Sequence, residues 1–187
     1  MLAKSKEQRV EVLIDVQNLY YSARNLYQSK VNFQEVLKTA VSGRKFIRAF
    51  GYVVRTKTGE EKPFFEALAK QGIEIRVRDL QEFYGGAKKA DWDVGLAVDA
   101  IAMGPKLDAV TIVSGDGDFI PLVEYLRFNL GCQVEAVSFG KSSSGKLKEI
   151  VDDFIDLDQN SKKYLMFAGK QGGGNRNGNH KNGKEDD

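Results

Sequence analysis

Histidine and cysteine are nearly missing from this chain: its 187 residues include one of each. A single Cys makes no internal disulfide, and with one His it cannot build a tetrahedral zinc site. The lone His180 falls in a Gly/Asn-rich C-terminal stretch, which argues against a rigid Ser-His-Asp or Cys-His triad. Long apolar runs are missing too. No stretch approaches the roughly 20 apolar residues of a membrane span, and MLAKSKEQR has no signal-peptide core, so the expectation is a soluble, cytoplasmic protein without a membrane partner. Charge of one sign is also lacking, because 28 Lys and Arg oppose 26 Asp and Glu for a net +2. Any grip on nucleic acid must then come from local clusters. An enzyme with this inventory works with carboxylates, lysines, hydroxyls or a hard metal.

What is present is an ordinary globular composition, 42% hydrophobic and 29% charged, sized for one domain. Residues 1–9 read as an N-terminal extension, 10–167 as the domain, and 168–187 as a disordered Gly/Asn-rich tail. Within the domain, β-rich runs alternate with helical patterns. Strands are expected at Val10–Val16, Lys45–Val54, Ile73–Asp79 near an edge, Ala109–Val113, Gln133–Phe139 and Phe154–Leu157. Helices are expected from Gln17, at Phe33–Val41 capped by Asn32, and at Lys62–Gln71 with Pro63 in the first turn. Three more follow at Trp92–Met103, at Phe119–Leu130 ended by Gly131, and at Leu147–Val151. This alternation predicts a three-layer α/β sandwich, a doubly wound, mainly parallel sheet with helices on both faces.

In such sheets ligands bind beyond the carboxyl ends of the strands, where strand order reverses. Asp15 closes the first strand, with Asn18 three residues on. Asp116 and Asp118 follow the fourth strand in SGDGDF, and Asp91 and Asp93 start the helix that leads to it. Gly115 and Gly117 bracket Asp116 and are read as permitting a tight turn. Taken singly, an Asp at a strand-to-helix junction is read first as a helix cap. Four of them, Asp15, Asp93, Asp116 and Asp118, converging on one rim favour a shared role. Helical periodicity makes Asp93 the preferred ligand and Asp91 the preferred cap. Asp99 lies six residues into its helix, about 9 Å further down, and is a weaker member. Crowded carboxylates repel one another, and the natural compensator here is Mg²⁺ or Mn²⁺. Such an ion supports phosphodiester hydrolysis without imidazole. A haloacid-dehalogenase-type phosphohydrolase would need Asp-x-Asp after the first strand, whereas Gln17 stands two places after Asp15.

The segments IDVQN, WDVGLAVDA, VSGDGDF and SSGKLKEIVDDF, in this order, resemble the NYN-domain family in its LabA-like branch, within the PIN-like nuclease superfamily. The resemblance spans about Val10 to Leu157. It implies a parallel sheet of order 3-2-1-4-5 and a Mg²⁺- or Mn²⁺-dependent ribonuclease-type site. Asp15, Asp93, Asp116 and Asp118 match the family's acidic cluster, Asn18 its Asn and Ser114 its small hydroxyl residue. Asp99 matches a recurrent family acid. Lys88 and Lys89 lie slightly upstream of the family's basic position.

Two basic clusters flank the expected rim. One is GGAKK with Lys88 and Lys89. The other is KSSSGK, where Ser143, Ser144 and Lys146 read either as a phosphate contact at a helix N-terminus or as a flexible loop with a cap. Arg76 and Arg78 alternate along a strand as a solvated edge. Tyr20, Tyr21 and Trp92 either stack on bases or pack half-buried, and the tail's Arg176, Lys181 and Lys184 either add RNA affinity or are inert. Two functions follow. One is a metal-dependent endoribonuclease acting on single-stranded RNA; the other is a catalytically silent module that binds RNA or protein. A homo-oligomer is compatible with either.

Overall fold

Val12 and Ile14 point to one side of the first strand and Leu13 to the other, and each side buries a separate apolar cluster. The structure, a computed structural model, describes residues 4–82, 88–89 and 91–166, with backbone alone at 82, 88 and 89. Six strands form one sheet: β1 (Arg9–Asp15), β2 (Lys45–Arg55), β3 (Glu74–Asp79), β4 (Ala109–Val113), β5 (Gln133–Ser138) and β6 (Asp153–Asp156). All neighbours pair in parallel, in the order β3-β2-β1-β4-β5-β6. The expected order is therefore present, extended by a sixth strand at the edge.

Helices α1 (Val16–Tyr27), α2 (Phe33–Val41) and α3 (Lys62–Lys70) cover the face of Val12, Ile14, Ala49 and Val53. Helices α4 (Asp93–Met103), α5 (Ile120–Phe128) and α6 (Gly145–Ile150) cover Leu13, Phe50, Ile112 and Ala136. Strands buried on both faces read as near-continuous apolar runs, and VEVLI and AVTIV follow that rule except at Glu11 and Thr111. A short helix α7 (Ser161–Tyr164) leads to Leu165 and Met166, which pair antiparallel with Val31 and Lys30. Lys88 and Lys89 pair their backbone with Glu82 and Gln81 in a separate two-residue ribbon. The Gly/Asn-rich tail, with His180, Arg176, Lys181 and Lys184, lies outside the described residues.

Helix starts follow local chemistry. Asn32 accepts a hydrogen bond from the Glu35 N–H and caps α2, as its position predicts. Pro63 and Pro121 sit in first turns, where their missing N–H groups cost no helix bond. The helix expected from Phe119 to Leu130 is shorter: Gly117–Phe119 is a 3₁₀ turn, and α5 stops at Phe128. Gly131 then takes a positive φ of 68° to turn the chain into β5.

On the edge strand, Arg76 and Arg78 do more than meet solvent. The Arg76 guanidinium lies 4.3 Å from the centre of the Phe50 ring and that of Arg78 4.8 Å from the Trp92 ring. These cation–π contacts help to close the sheet face over β2 and β3. Trp92 packs rather than stacking outward: its indole N–H donates to the Val53 carbonyl at 2.8 Å and its ring meets Tyr52.

Candidate functional site

The chain winds from β1 outward to β3, then returns to lay β4 on the other flank of β1. The crevice at the carboxyl ends of β1 and β4 is thus the point where strand order reverses. Asp15 ends β1 there and caps α1, its Oδ1 accepting from the Asn18 N–H at 3.0 Å. The Asn18 side-chain oxygen accepts from the Gly115 N–H at 3.1 Å and so ties the β1 turn to the β4 turn. Ser114, fully buried, donates its hydroxyl to Asp15 Oδ2 at 3.4 Å and accepts from the Asp116 N–H at 3.2 Å. Asp116 in turn caps the 3₁₀ turn by accepting from the Asp118 N–H at 3.0 Å.

These bonds tie the Asp15 and Asp116 caps into one network across the β1 and β4 turns. Burial pushes the Asp15 carboxyl up to about 6, and the negative charges of Asp93 and Asp116 push in the same direction. The Asn18 N–H and the Ser114 hydroxyl act against them. Asp15, Asp93 and Asp116, brought from β1, α4 and the β4 turn, therefore share one electrostatic neighbourhood. Asp118 belongs to the same turn with an exposed side chain.

Asp91 is not the cap of α4. Trp92 occupies that position without a side-chain capping bond, and Asp93 is the first helical residue. The cause is Trp92 itself, fixed by its bond to Val53 and by a ring that fills the space a Cβ on Gly95 would need, 2.5 Å away. Asp91 instead offers its carbonyl to Arg78 at 2.6 Å. Asp99 stands apart from the rim. It accepts from the Tyr52 hydroxyl at 3.0 Å and faces the Arg76 guanidinium at 3.4 Å.

Gly115 and Gly117 do not take positive φ, so their role is not the tight turn expected of them. A Cβ on Gly115 would lie 2.4 Å from the Ser143 hydroxyl, and one on Gly117 would lie 2.9 Å from the Ser144 hydroxyl. The glycines let the loop before α6 pack against the acidic turn, where the Ser144 N–H donates to the Gly115 carbonyl at 2.9 Å. The loop's own hydroxyls are engaged within the protein. Ser143 donates to the Phe139 carbonyl at 2.7 Å, and Ser144 caps the six-residue α6. Lys146 is exposed, beside Glu124 and Glu149. Within KSSSGK, Ser144 is thus a helix cap. The side chains of Lys88 and Lys89 lie outside the described residues.

Glu11 is not among the residues that the sequence pattern singles out. It is fully buried in β1, and neither carboxylate oxygen has a hydrogen-bond partner among the described residues. The signal is one charge inside the apolar run VEVLI, but the partner surfaces that would interpret it lie far along the chain.

Fold and rim together define a PIN-like α/β domain with acidic side chains at its switch point. Residues 9–158 match the NYN domain, and the chain belongs to that family, a PIN-like nuclease family. It is 23% identical over 164 residues to the low amplitude and bright protein LabA of Synechococcus elongatus, covering 80% of this chain and 83% of that one. The crystal structure of VPA0982, a protein of unknown function from Vibrio parahaemolyticus, matches with a TM-score of 0.78 at 28% identity, covering 88% of this chain and 100% of that one. Nucleases of this family typically use divalent metals. The donor set here is oxygen only, suited to a hard cation. Among the described residues, no three His, Cys, Asp or Glu side chains are grouped so as to hold one. No described helix is long and apolar enough to cross a membrane.

Proposed function

We propose that the protein is a Mg²⁺- or Mn²⁺-dependent endoribonuclease that hydrolyses phosphodiester bonds of single-stranded RNA. The observation that carries this reading is Asp15, a carboxylate enclosed at the switch-point crevice and crowded by Asp93 and Asp116. Like charges in a desolvated cleft destabilise the fold, and a bound cation offsets that cost. Asp15, Asp93 and Asp116 would hold the ion, with Asp118 at the open side of the turn. Such an ion, when bound, lowers the pKa of water and stabilises charge on a phosphoryl group.

The chain's own contribution is orientation. Ser114 donates to one oxygen of Asp15 while the Asn18 N–H engages the other, so the carboxylate is fixed in rotation. The Asn18 side chain holds the β4 turn against β1 and keeps Asp116 facing the same crevice. Cleavage of a single-stranded RNA oligonucleotide should require Mn²⁺ or Mg²⁺, stop with EDTA and be lost in Asp116→Asn. Cleavage that survives both controls overturns the assignment.

The absence of a preformed three-ligand group among the described residues favours a second reading, a catalytically silent module that keeps the NYN fold. Thermal unfolding separates the two. The nuclease reading predicts that millimolar Mn²⁺ raises the wild-type midpoint but not that of Asp15→Asn. Equal, unchanged midpoints establish the silent module.

A further inference from the structure

Past the acidic rim, a groove of about 460 Å³ follows the far half of α1, lined by Tyr20, Arg24, Asn25, Gln28, Ser29 and Lys30. No lining residue is acidic. Arg9, Arg48, Arg55, Arg76 and Arg127 each hold a carboxylate on this protein. Arg24 and Lys30 hold none, and no described side chain bonds to either. Two unpaired cations in a concave, acid-free groove are available to an external anion. Tyr20 is 37% exposed and Tyr21 51%, their rings edge to face at 5.4 Å, which presents aromatic surface beside the cations.

Position ties the groove to the rim. α1 is capped by Asp15, so Tyr20 stands about 8 Å and Arg24 about 14 Å along the helix axis from the acidic centre, at 1.5 Å per residue. Exposed residues recur at 20, 21, 24, 25 and 28, one continuous stripe leading away from the site. The dipole at the C-terminal end of α1 disfavours anions, so attraction there rests on the two side-chain charges.

We propose that this groove binds the backbone of the single strand whose scissile bond lies at the acidic rim, with Arg24 and Lys30 on phosphates and Tyr20 stacked on a base. The inference rests on the nuclease reading for its substrate. Its measurement does not need catalysis, because binding is followed in EDTA. The aromatic surface favours a single strand, whose bases are free to stack, over a duplex.

The experiment is fluorescence anisotropy with a labelled, unstructured RNA oligonucleotide and the full chain, in EDTA, across a salt series. Arg24→Glu/Lys30→Glu should weaken binding at least tenfold. The plot of log affinity against log salt should become shallower by about 1.4, the share of two phosphates on a single strand. Tyr20→Ala should weaken binding about tenfold with the salt slope unchanged. Lys70→Glu/Lys106→Glu carries the same charge change away from the groove and should bind as its net charge alone dictates. The milder Arg24→Gln/Lys30→Gln, with an unchanged melting midpoint, guards against misfolding. Groove variants that bind like the control pair overturn the proposal, as does tighter binding of a duplex of the same sequence. If wild type binds through the groove yet never cleaves, the groove stands and the nuclease reading falls. If it cleaves with KM unaffected by the groove variants, the groove falls alone.

Discussion

Glu11 and Glu135 are both fully buried in the interior of one parallel sheet, on opposite faces, and their surroundings could hardly differ more. Glu135 in β5 receives both arms of the Arg44 guanidinium at 2.9 and 2.8 Å, the Lys4 ammonium at 3.1 Å and the Gln133 amide at 2.8 Å. Arg44 itself is completed by the Ala40 and Val41 carbonyls at the end of α2. Glu11 in β1 receives no hydrogen bond from a described residue. The cations on its side are committed elsewhere: Arg48 grips Glu74 through two bonds of 3.1 Å, and Arg76 faces Asp99. A sheet interior accepts a charge when a neighbouring element delivers a complete counter-charge, and otherwise keeps the acid protonated. Burial pushes Glu11 up to about 7. Arg48 pulls against that shift, and Asp99 and Glu74 reinforce it.

The comparison breaks most severely at Arg44. Arg44→Met leaves Glu135 buried with only Lys4 and Gln133, and the loss expected for half a buried pair is about 3–5 kcal/mol. Urea unfolding at pH 7 measures it. Replacing both partners, Arg44→Met with Glu135→Leu, should recover most of the loss, because no charge is then left uncompensated. A double variant as unstable as the single one would show that packing of the arginine stem, not charge, is what Glu135 depends on.

Glu11 should respond in the opposite sense. Below about pH 4.5, folded and unfolded chains both hold its proton, and the group costs nothing. Between 4.5 and about 7 only the unfolded chain releases the proton, so stability falls as pH rises. Above 7 the cost levels off at up to about 3 kcal/mol. Glu11→Gln removes the titration. The variant should match wild type at pH 4 and exceed it by up to about 3 kcal/mol at pH 8. Parallel stability curves for the two proteins would mean that Glu11 is ionised and compensated throughout.

The strands, their burial and the two junctions bearing Asp15 and Asp116 followed from VEVLID, AVTIV and SGDGDF, because short-range patterning and capping decide them. What Glu11 and Glu135 meet did not follow, since Arg44, Arg48, Glu74 and Asp99 arrive from elements 37 to 91 residues away, as the Glu11–Arg48 and Arg44–Glu135 spacings illustrate. The cap of α4 lies beyond local pattern for the same reason: the Val53 carbonyl, on another strand, fixes Trp92. At Gly115 the constraint comes from Ser143 across the crevice and not from its own backbone. Local chemistry was visible wherever both partners lay within a turn of each other.

The smallest effect tests the link between Glu11 and its like-charged neighbour. Asp99, on α4, accepts the Tyr52 hydroxyl at 3.0 Å and lies 3.4 Å from Arg76. Tyr52→Phe removes one donor from a carboxylate that keeps its cation, and the ordinary cost of such a bond is about 1 kcal/mol. That cost should depend on pH in wild type, because Glu11 is neutral at pH 5.5 and charged at pH 8. With Glu11 charged, Asp99 faces a second negative group on its own side of the sheet and depends more on the Tyr52 donor. In the Glu11→Gln background the same substitution should cost equally at both pH values. A cost that varies with pH in both backgrounds would place the titrating group elsewhere and uncouple Glu11 from Asp99.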